Sequence, residues 1–217
     1  MFDTNSIQDL RKMTAHALCC PLFGLCRVNR HDLMVKALKA FLLKCLPPND
    51  SEIQVEAVLL DVEGNELPKI DLAVRENHRR WTVDVAITSP TASNVVERAA
   101  KKVDVANQHQ IGNKKSKNAE YRRGNTARYF VLETSGRLSS DAMNLIDEYA
   151  RINILPHSPK LVEARRQLLK EISVIVWRGN SFALRMAREH LKHPSADRVA
   201  TWPPYTRPVA PRVEGGV

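Results

Sequence analysis

Two aspartates, Asp71 and Asp84, lie thirteen positions apart in segments whose residue pattern is typical of paired β-strands. In each segment, apolar residues recur at every second position, which is the period of a strand with one buried face. If the chain turns midway through residues 76–79, the two aspartates lie opposite each other, with β-carbons about 5 Å apart. Two like charges at that distance favour either a raised pKa on one carboxyl group or a shared divalent cation. We therefore predict a metal site at Asp71 and Asp84.

A third carboxylate, Glu56, is a further candidate metal ligand. With a turn centred at Gly64 and Asn65, Glu56 falls on the same face of the sheet as Asp71, whereas a shift of one residue moves it to the other face. Mg²⁺ takes carboxylate oxygens, and two aspartates with a backbone carbonyl and waters suffice to hold it. A cation held in this way can neutralise nearby negative charge and lower the pKa of a bound water. The alternative is that both aspartates are solvent-facing residues of a one-sided sheet.

The elements that would position these residues are predicted in the order αβββαβα. A helix is predicted over residues 31–46, strands over 53–60, 70–74 and 81–87, a helix over 94–109, a strand over 127–132 and a helix over 139–152. This order indicates an α/β fold with a central mixed sheet flanked by helices.

The remaining chain divides into a basic helical section and a tail. Residues 159–192 are predicted to be helical, with an interruption at residues 178–180, and residues from 194 onward are Pro-rich and predicted to be disordered. The predicted division is an N-terminal segment 1–30, a core 31–156, a basic helical extension 157–193 and a tail 194–217.

Composition narrows the class of partner and compartment. The 217 residues include 33 Lys and Arg against 24 Asp and Glu, a formal charge of +9, which favours a polyanionic partner. The alternative is a basic protein whose lysines only solvate its surface. No apolar run approaches the roughly 18 residues that span a bilayer, so we expect a soluble protein without a membrane partner. Four cysteines within the first 45 residues favour a reducing compartment over a secreted disulfide framework.

The predicted order, with acidic residues on the second and third strands, resembles the PD-(D/E)XK nuclease superfamily. More narrowly, it resembles the restriction-like endonuclease domain of non-LTR retrotransposons. The resemblance covers about residues 16–179 and is carried by residues 30–32 (Arg-His-Asp), 68–71 with the gap to Asp84, 130–138 and 177–180 (Trp-Arg-Gly-Asn). It implies a restriction-endonuclease-like core, a Mg²⁺ or Mn²⁺ cofactor and DNA as substrate. It also implies a reverse transcriptase region of the same polyprotein as partner, and a nuclear or intracellular location.

The resemblance also implies a catalytic lysine. In the superfamily this lysine follows the second acid by two positions, but here that position is Ala86. In the retrotransposon nucleases the lysine lies on the following helix, where Lys101 or Lys102 would occupy its place. Three competing candidates follow in the chain: Lys114, Lys115 and Lys117.

The first acidic motif departs from the family pattern as well. The usual Pro-Asp pair is replaced by Lys69-Ile70-Asp71, with Pro68 displaced upstream. Loss of catalysis is therefore an alternative that the sequence leaves open.

The N-terminal segment resembles the end of a zinc knuckle that precedes such nuclease domains. A structural zinc ion needs four N or S ligands, and the candidate set is His16, Cys20, Cys26 and His31. The alternative is a remnant with reduced, buried cysteines, because residues 1–15 contain no Cys or His. The missing half suggests a piece of a longer polyprotein.

Basic and aromatic residues supply candidate contacts to nucleic acid. Phosphate contacts are predicted for lysines and arginines near predicted helices: Lys114, Lys115, Lys117, Arg165, Arg166, Lys170, Arg178, Arg185 and Arg188. Trp177, Tyr129 and Phe182 are candidates for base stacking, but their apolar neighbours favour core packing.

Three functions fit these observations. The first is a Mg²⁺-dependent DNA endonuclease of retroelement origin, with Asp71 and Asp84 holding the metal and Lys101 or Lys102 orienting water. The second is a nuclease-like domain that binds nucleic acid without cleaving it. The third is a protein-interaction module, which would lack affinity for nucleic acid at moderate salt.

Overall fold

The protein forms an α/β fold in which helices flank a four-stranded mixed sheet, as the sequence predicts. The computed structural model describes residues 24–117 (without 59, 61, 62, 67, 68 and 78), 126–152 and 159–192. The elements in chain order are α1 (Gly24–Cys45), β1 (Ser51–Ala57), β2 (Ile70–Glu76), β3 (Arg79–Thr88), α2 (Val96–Ala99), α3 (Val105–Lys117), β4 (Thr126–Glu133), α4 (Ser140–Ile152) and α5 (Pro159–Lys192). None of the helices in these ranges has the length and apolar character needed to cross a bilayer.

The strands lie in the order β1-β2-β3-β4. β1, β2 and β3 are antiparallel neighbours, whereas β4 is parallel to β3 and is reached through the crossover that contains α2 and α3. The β2–β3 hairpin runs from the pair Glu76↔Arg79 to the pair Leu72↔Val83. This confirms the predicted turn midway through residues 76–79, and the same register aligns Asp71 with Asp84.

Both faces of the sheet are covered, but by different helices. On one face, a large apolar core joins the strands to α1, α4 and α5; its fully buried members include Leu38, Leu72, Val83, Phe130, Ile146 and Leu168. On the other face, Ile111 of α3 packs against Ala86, Tyr129 and Val131. Asp84 is two residues before Ala86, and alternate residues of a strand share a face, so Asp84 lies on the face covered by α3.

The basic helical section is one continuous helix, α5, and it belongs to the core. The predicted interruption at residues 178–180 is wrong, because Gly179 costs a helix only about 1 kcal/mol and its missing side chain leaves room for Arg30 of α1. Helix α5 contributes six buried residues to the main core: Leu161, Ala164, Leu168, Ile172, Ile175 and Val176. The first helix begins earlier than predicted, at Gly24.

The single helix predicted over residues 94–109 is in fact two helices, α2 and α3. α2 ends at Ala99 and residues 100–104 separate the two helices; the last of these, Asp104, has a φ of 68°, a left-handed conformation outside the helical range. Its carboxylate accepts hydrogen bonds from Asn107 Nδ2 (2.7 Å) and Gln108 Nε2 (2.9 Å) and so supports the first turn of α3. Because α3 then continues to Lys117, three of the candidate lysines lie on a helix that packs on the sheet.

Cys26 and Cys45 are free thiols, 3 % and 2 % exposed. Burial raises the pKa of the Cys26 thiol and raises the pKa of the Cys45 thiol to about 11. Because the thiolate is the reactive form, we expect iodoacetamide at about pH 8 to leave both residues unmodified in the folded protein and to alkylate both in denaturant. Peptide mass spectrometry measures this. Alkylation of the folded protein at the denatured rate would contradict the buried positions.

Candidate active site

The structure brings Asp71 and Asp84 together, as the sequence predicts. The regular pairing of β2 with β3 ends at Leu72↔Val83, and beyond it Asp71 Oδ2 accepts a hydrogen bond from the backbone N–H of Val85 at 2.6 Å. A side-chain carboxylate thus replaces the backbone partner of the neighbouring strand. The carboxyl group of Asp84 is close enough to Asp71 to help lower its pKa.

His31 of α1 is a third member of this site. Its Nε2 lies 3.3 Å from Asp71 Oδ2, and its Nδ1 lies 3.3 Å from Asp32 Oδ1. The hydrogen bond with Asp71 raises the pKa of His31 to about 9 against the opposing effect of burial, so the imidazole is a cation at neutral pH. Burial acts to raise the pKa of Asp71, but the hydrogen bonds and charge of His31, together with the Val85 N–H, hold it below its ordinary value.

Lys114 of α3 is the lysine that reaches the carboxylates. Its Nζ lies 2.5 Å from Oδ1 of Asp84, whose residue is only 6 % exposed. Lys114 follows the buried Ile111 by three positions, and residues at that spacing share one face of a helix. The packing of Ile111 on the sheet therefore directs Lys114 towards β3. From the sequence, Lys114 is only a competing candidate for the catalytic lysine, beside Lys101 and Lys102.

The other predicted lysines lie elsewhere. Lys101 and Lys102 are exposed in the turns between α2 and α3, and no contact joins them to either aspartate in the part of the chain that the structure describes. Lys115 places its Nζ 6.0 Å from the ring centre of Tyr129, and Lys117 is exposed at the end of α3. Lys115 and Lys117 remain available for phosphate contacts.

Glu56 does not join the two aspartates, which corrects the predicted third ligand. The pairs Val55↔Leu72 and Ala57↔Ile70 set a β1–β2 register two residues from the predicted one, which keeps Glu56 on the predicted face, across from Asp71. The regular pairing nevertheless skips Glu56. Glu56 has a φ of 50°, so the strand is irregular there. Its side chain is 69 % exposed, and its Oε2 lies 3.8 Å from Lys69 Nζ.

The donor set fits a hard divalent cation held by few protein ligands. Mg²⁺ is commonly bound through one or two carboxylates, with waters and substrate phosphates completing the shell. Asp71 and Asp84 provide two such groups, whereas no cluster of three or more His, Cys, Asp or Glu residues suited to a metal occurs within the described residues. His31 lies beside Asp71 and Lys114 lies beside Asp84, so each negative carboxylate has a positive charge next to it.

Two members of the proposed zinc set, Cys26 and His31, lie within the described residues, and they contact different parts of the protein. Cys26 packs with Phe182 and Ala183 of α5, whereas His31 contacts Asp71. His16 and Cys20 lie outside the described residues.

Three of the segments that carry the resemblance meet beside the aspartates. Arg30, which is 2 % exposed, donates a hydrogen bond to Asn180 Oδ1, and Asn180 Nδ2 donates to the carbonyl oxygen of Thr134 at 2.7 Å. The N–H of Thr134 donates to Thr88 O at the end of β3, also at 2.7 Å. These bonds fix the turn of α1 that carries His31. Sequence reasoning missed the contribution of His31 to this site, although the Arg-His-Asp motif marked it.

The predicted phosphate-contacting residues of α5 differ in their surroundings. Arg165 Nε lies 2.8 Å from Asp147 Oδ1 and ties α5 to α4, whereas Arg166 pairs with Glu163 on the surface. Lys170, Arg178, Arg185 and Arg188 are exposed. Tyr129 and Phe182 are buried, as predicted, but Trp177 is 70 % exposed and its predicted core packing is wrong.

The site therefore consists of two adjacent carboxylates, an imidazolium and a lysine amine. No family model matches the chain, and no match was found among the curated proteins. A functional interpretation consequently depends on the geometry of Asp71, Asp84, His31 and Lys114.

Proposed function

We propose that the protein is a metal-dependent DNA endonuclease domain of retroelement origin, with a restriction-endonuclease-like core that uses Mg²⁺ or Mn²⁺. The observation that carries the proposal is the 2.5 Å contact between Lys114 Nζ and Asp84 Oδ1, beside Asp71. Two strand carboxylates and a lysine from the following helix are the set that the resemblance implies. A reverse transcriptase region of the same polyprotein is the proposed partner, and the nucleus is the proposed location.

Each residue of the site has a distinct role in this proposal. Asp71 and Asp84 hold the cation, which supplies charge neutralisation at the phosphate and a water of lowered pKa. Lys114 donates a hydrogen bond that orients the attacking water and stabilises negative charge as it develops. His31 keeps Asp71 ionised, because its positive charge and hydrogen bond hold the pKa of that carboxyl group down.

The proposal is tested by nicking of supercoiled plasmid at low salt. We expect the wild-type protein to nick the plasmid with Mg²⁺ or Mn²⁺ and to stop when EDTA removes the metal. The reason is that the carboxylates are anions, so the positive charge beside the phosphate has to come from the bound metal ion. An Asp71→Ala, Asp84→Ala double variant, purified in parallel, is the control for contaminating nucleases. Equal nicking by the double variant would remove the support for this site.

A second candidate function is nucleic-acid binding without cleavage. Two observations favour it: His31 and Lys114 already balance both carboxylates, and Ala86 stands where the superfamily has its lysine. Salt-dependent binding of DNA by a well-folded protein that never nicks it would support this function over the first.

A further inference from the structure

The outer face of α5 forms a stripe that combines positive charge with one aromatic ring. Its exposed residues recur at spacings of three and four, or sums of these, so they share one side of the helix. They include Glu163 and Arg166, which pair with each other, and then Lys170, Trp177, Leu184 and Arg188. Arg178 and Arg185 are exposed beside this stripe. The charge complements a polyanion that runs along the helix.

Trp177 is the unusual member of this stripe. Its residue is 70 % exposed, and no aromatic-ring contact to it occurs within the described ranges. An isolated exposed apolar residue is ordinary, but an indole next to Arg178, on a helix side that also carries Lys170 and Arg188, has the composition of a surface that binds single-stranded nucleic acid. Such surfaces combine a basic track for phosphates with aromatic rings on which bases stack.

The turn of α5 that carries Trp177 is connected to the candidate active site. Asn180, three residues further along, is hydrogen-bonded to the side chain of Arg30 and to the carbonyl oxygen of Thr134. His31, adjacent to Arg30, contacts Asp71. A nucleic-acid strand that crosses Trp177 would therefore contact a part of α5 that is held to one turn of α1. The same turn of α1 contacts the carboxylate of Asp71 through His31.

A membrane surface fits this face less well. Helices that lie on membranes insert a broad apolar face into the lipid. The apolar face of α5 is instead buried in the protein core, through residues such as Leu168, Ile172 and Ile175. The exposed apolar residues of this side, Val162, Trp177 and Leu184, are too few for such a face.

We propose that Trp177 stacks on an unpaired base of a single-stranded nucleic acid whose phosphates follow the basic stripe of α5. Stacking is expected on a single strand because the bases of an intact duplex already stack on each other. The inference rests on nucleic acid as the partner in the proposed function, and not on cleavage.

The test is fluorescence anisotropy of a labelled oligodeoxythymidylate and of a labelled duplex, titrated with protein at several salt concentrations. We expect Trp177→Ala to weaken single-strand binding by about 5- to 100-fold, the usual effect of losing one stacked base, and to weaken duplex binding less. Trp177→Phe should restore most of the affinity because it keeps a ring. The salt dependence should not change, since no charge is removed.

Val162, 67 % exposed on the same helix, provides the matched control. Val162→Ala should bind like the wild type. Equal single-strand affinity of Trp177→Ala and the wild type would overturn the stacking role while leaving nucleic-acid binding intact. Binding to anionic vesicles but to neither oligonucleotide would overturn both the inference and the proposed function. If Trp177→Ala lost single-strand affinity and the wild type did not nick DNA, the stacking inference would be supported. Only the cleavage part of the proposed function would then be contradicted.

Discussion

Replacing Lys114 by methionine is expected to lower the rate of metal-dependent nicking by about 100- to 1,000-fold, as when one positioned donor is removed from an active site. Methionine keeps much of the side-chain volume but removes the amine that lies 2.5 Å from Asp84 Oδ1. Rates are measured on supercoiled plasmid at saturating Mg²⁺, beside the wild type.

The same variant should also change the response to metal, because Lys114 supplies the positive charge beside Asp84. Asp84, whose residue is 6 % exposed, loses the hydrogen bond from Lys114, which we expect to destabilise the protein by about 2–3 kcal/mol. A bound divalent cation would replace the missing charge. Mg²⁺ should therefore raise the melting temperature of Lys114→Met more than that of the wild type.

Lys101→Met is the matched control for this prediction. It removes one positive charge from an exposed position near α3, without a contact to Asp84 in the described structure. It should nick close to the wild-type rate. If Lys101→Met were inactive and Lys114→Met active, the catalytic lysine would belong to the turn after α2, and the role of Lys114 would be electrostatic balance.

Replacing Gly179 by alanine is expected to destabilise the protein by about 1–3 kcal/mol, as when extra atoms enter a well-packed core. A Cβ at this position would overlap Cγ and Cδ of Arg30, whose residue is 2 % exposed and whose guanidinium is bonded to Asn180. Arg30 cannot move aside without breaking that bond. Chemical denaturation monitored by circular dichroism gives the free energy of unfolding.

Gly112→Ala is the matched control, because it makes the same change within another helix. A Cβ at Gly112 meets nothing within 4 Å. Alanine is the better helix former by about 1 kcal/mol, so this variant should be more stable than the wild type. If both substitutions stabilised the protein, the close approach of α1 to α5 at Gly179 would not exist in solution.

The hairpin that carries the aspartates could be predicted because its determinants are local. The apolar side chains of β2 and β3 recur with a period of two, and the short loop after Glu76 fixes which residues face each other. That register alone aligns Asp71 with Asp84.

The helical elements were predicted less completely. The first helix ends at Ala99, and Asp104 adopts a left-handed conformation just before the next helix starts; apolar periodicity carries no signal for this break. Gly179 suggested a helix break by its residue type, whereas the helix continues because Arg30 occupies the space above it.

The sequence by itself determined the α/β class, the pairing of Asp71 with Asp84 and the excess of positive charge, because these follow from composition and from patterns within a few residues. Tertiary structure alone decided that Lys114 and His31 flank the carboxylates, that Glu56 turns to Lys69, and that Trp177 is exposed. The reason is that each of these outcomes depends on where another element packs. His31 and Asp71 are forty residues apart in the chain, and only the docking of α1 against the sheet brings them together.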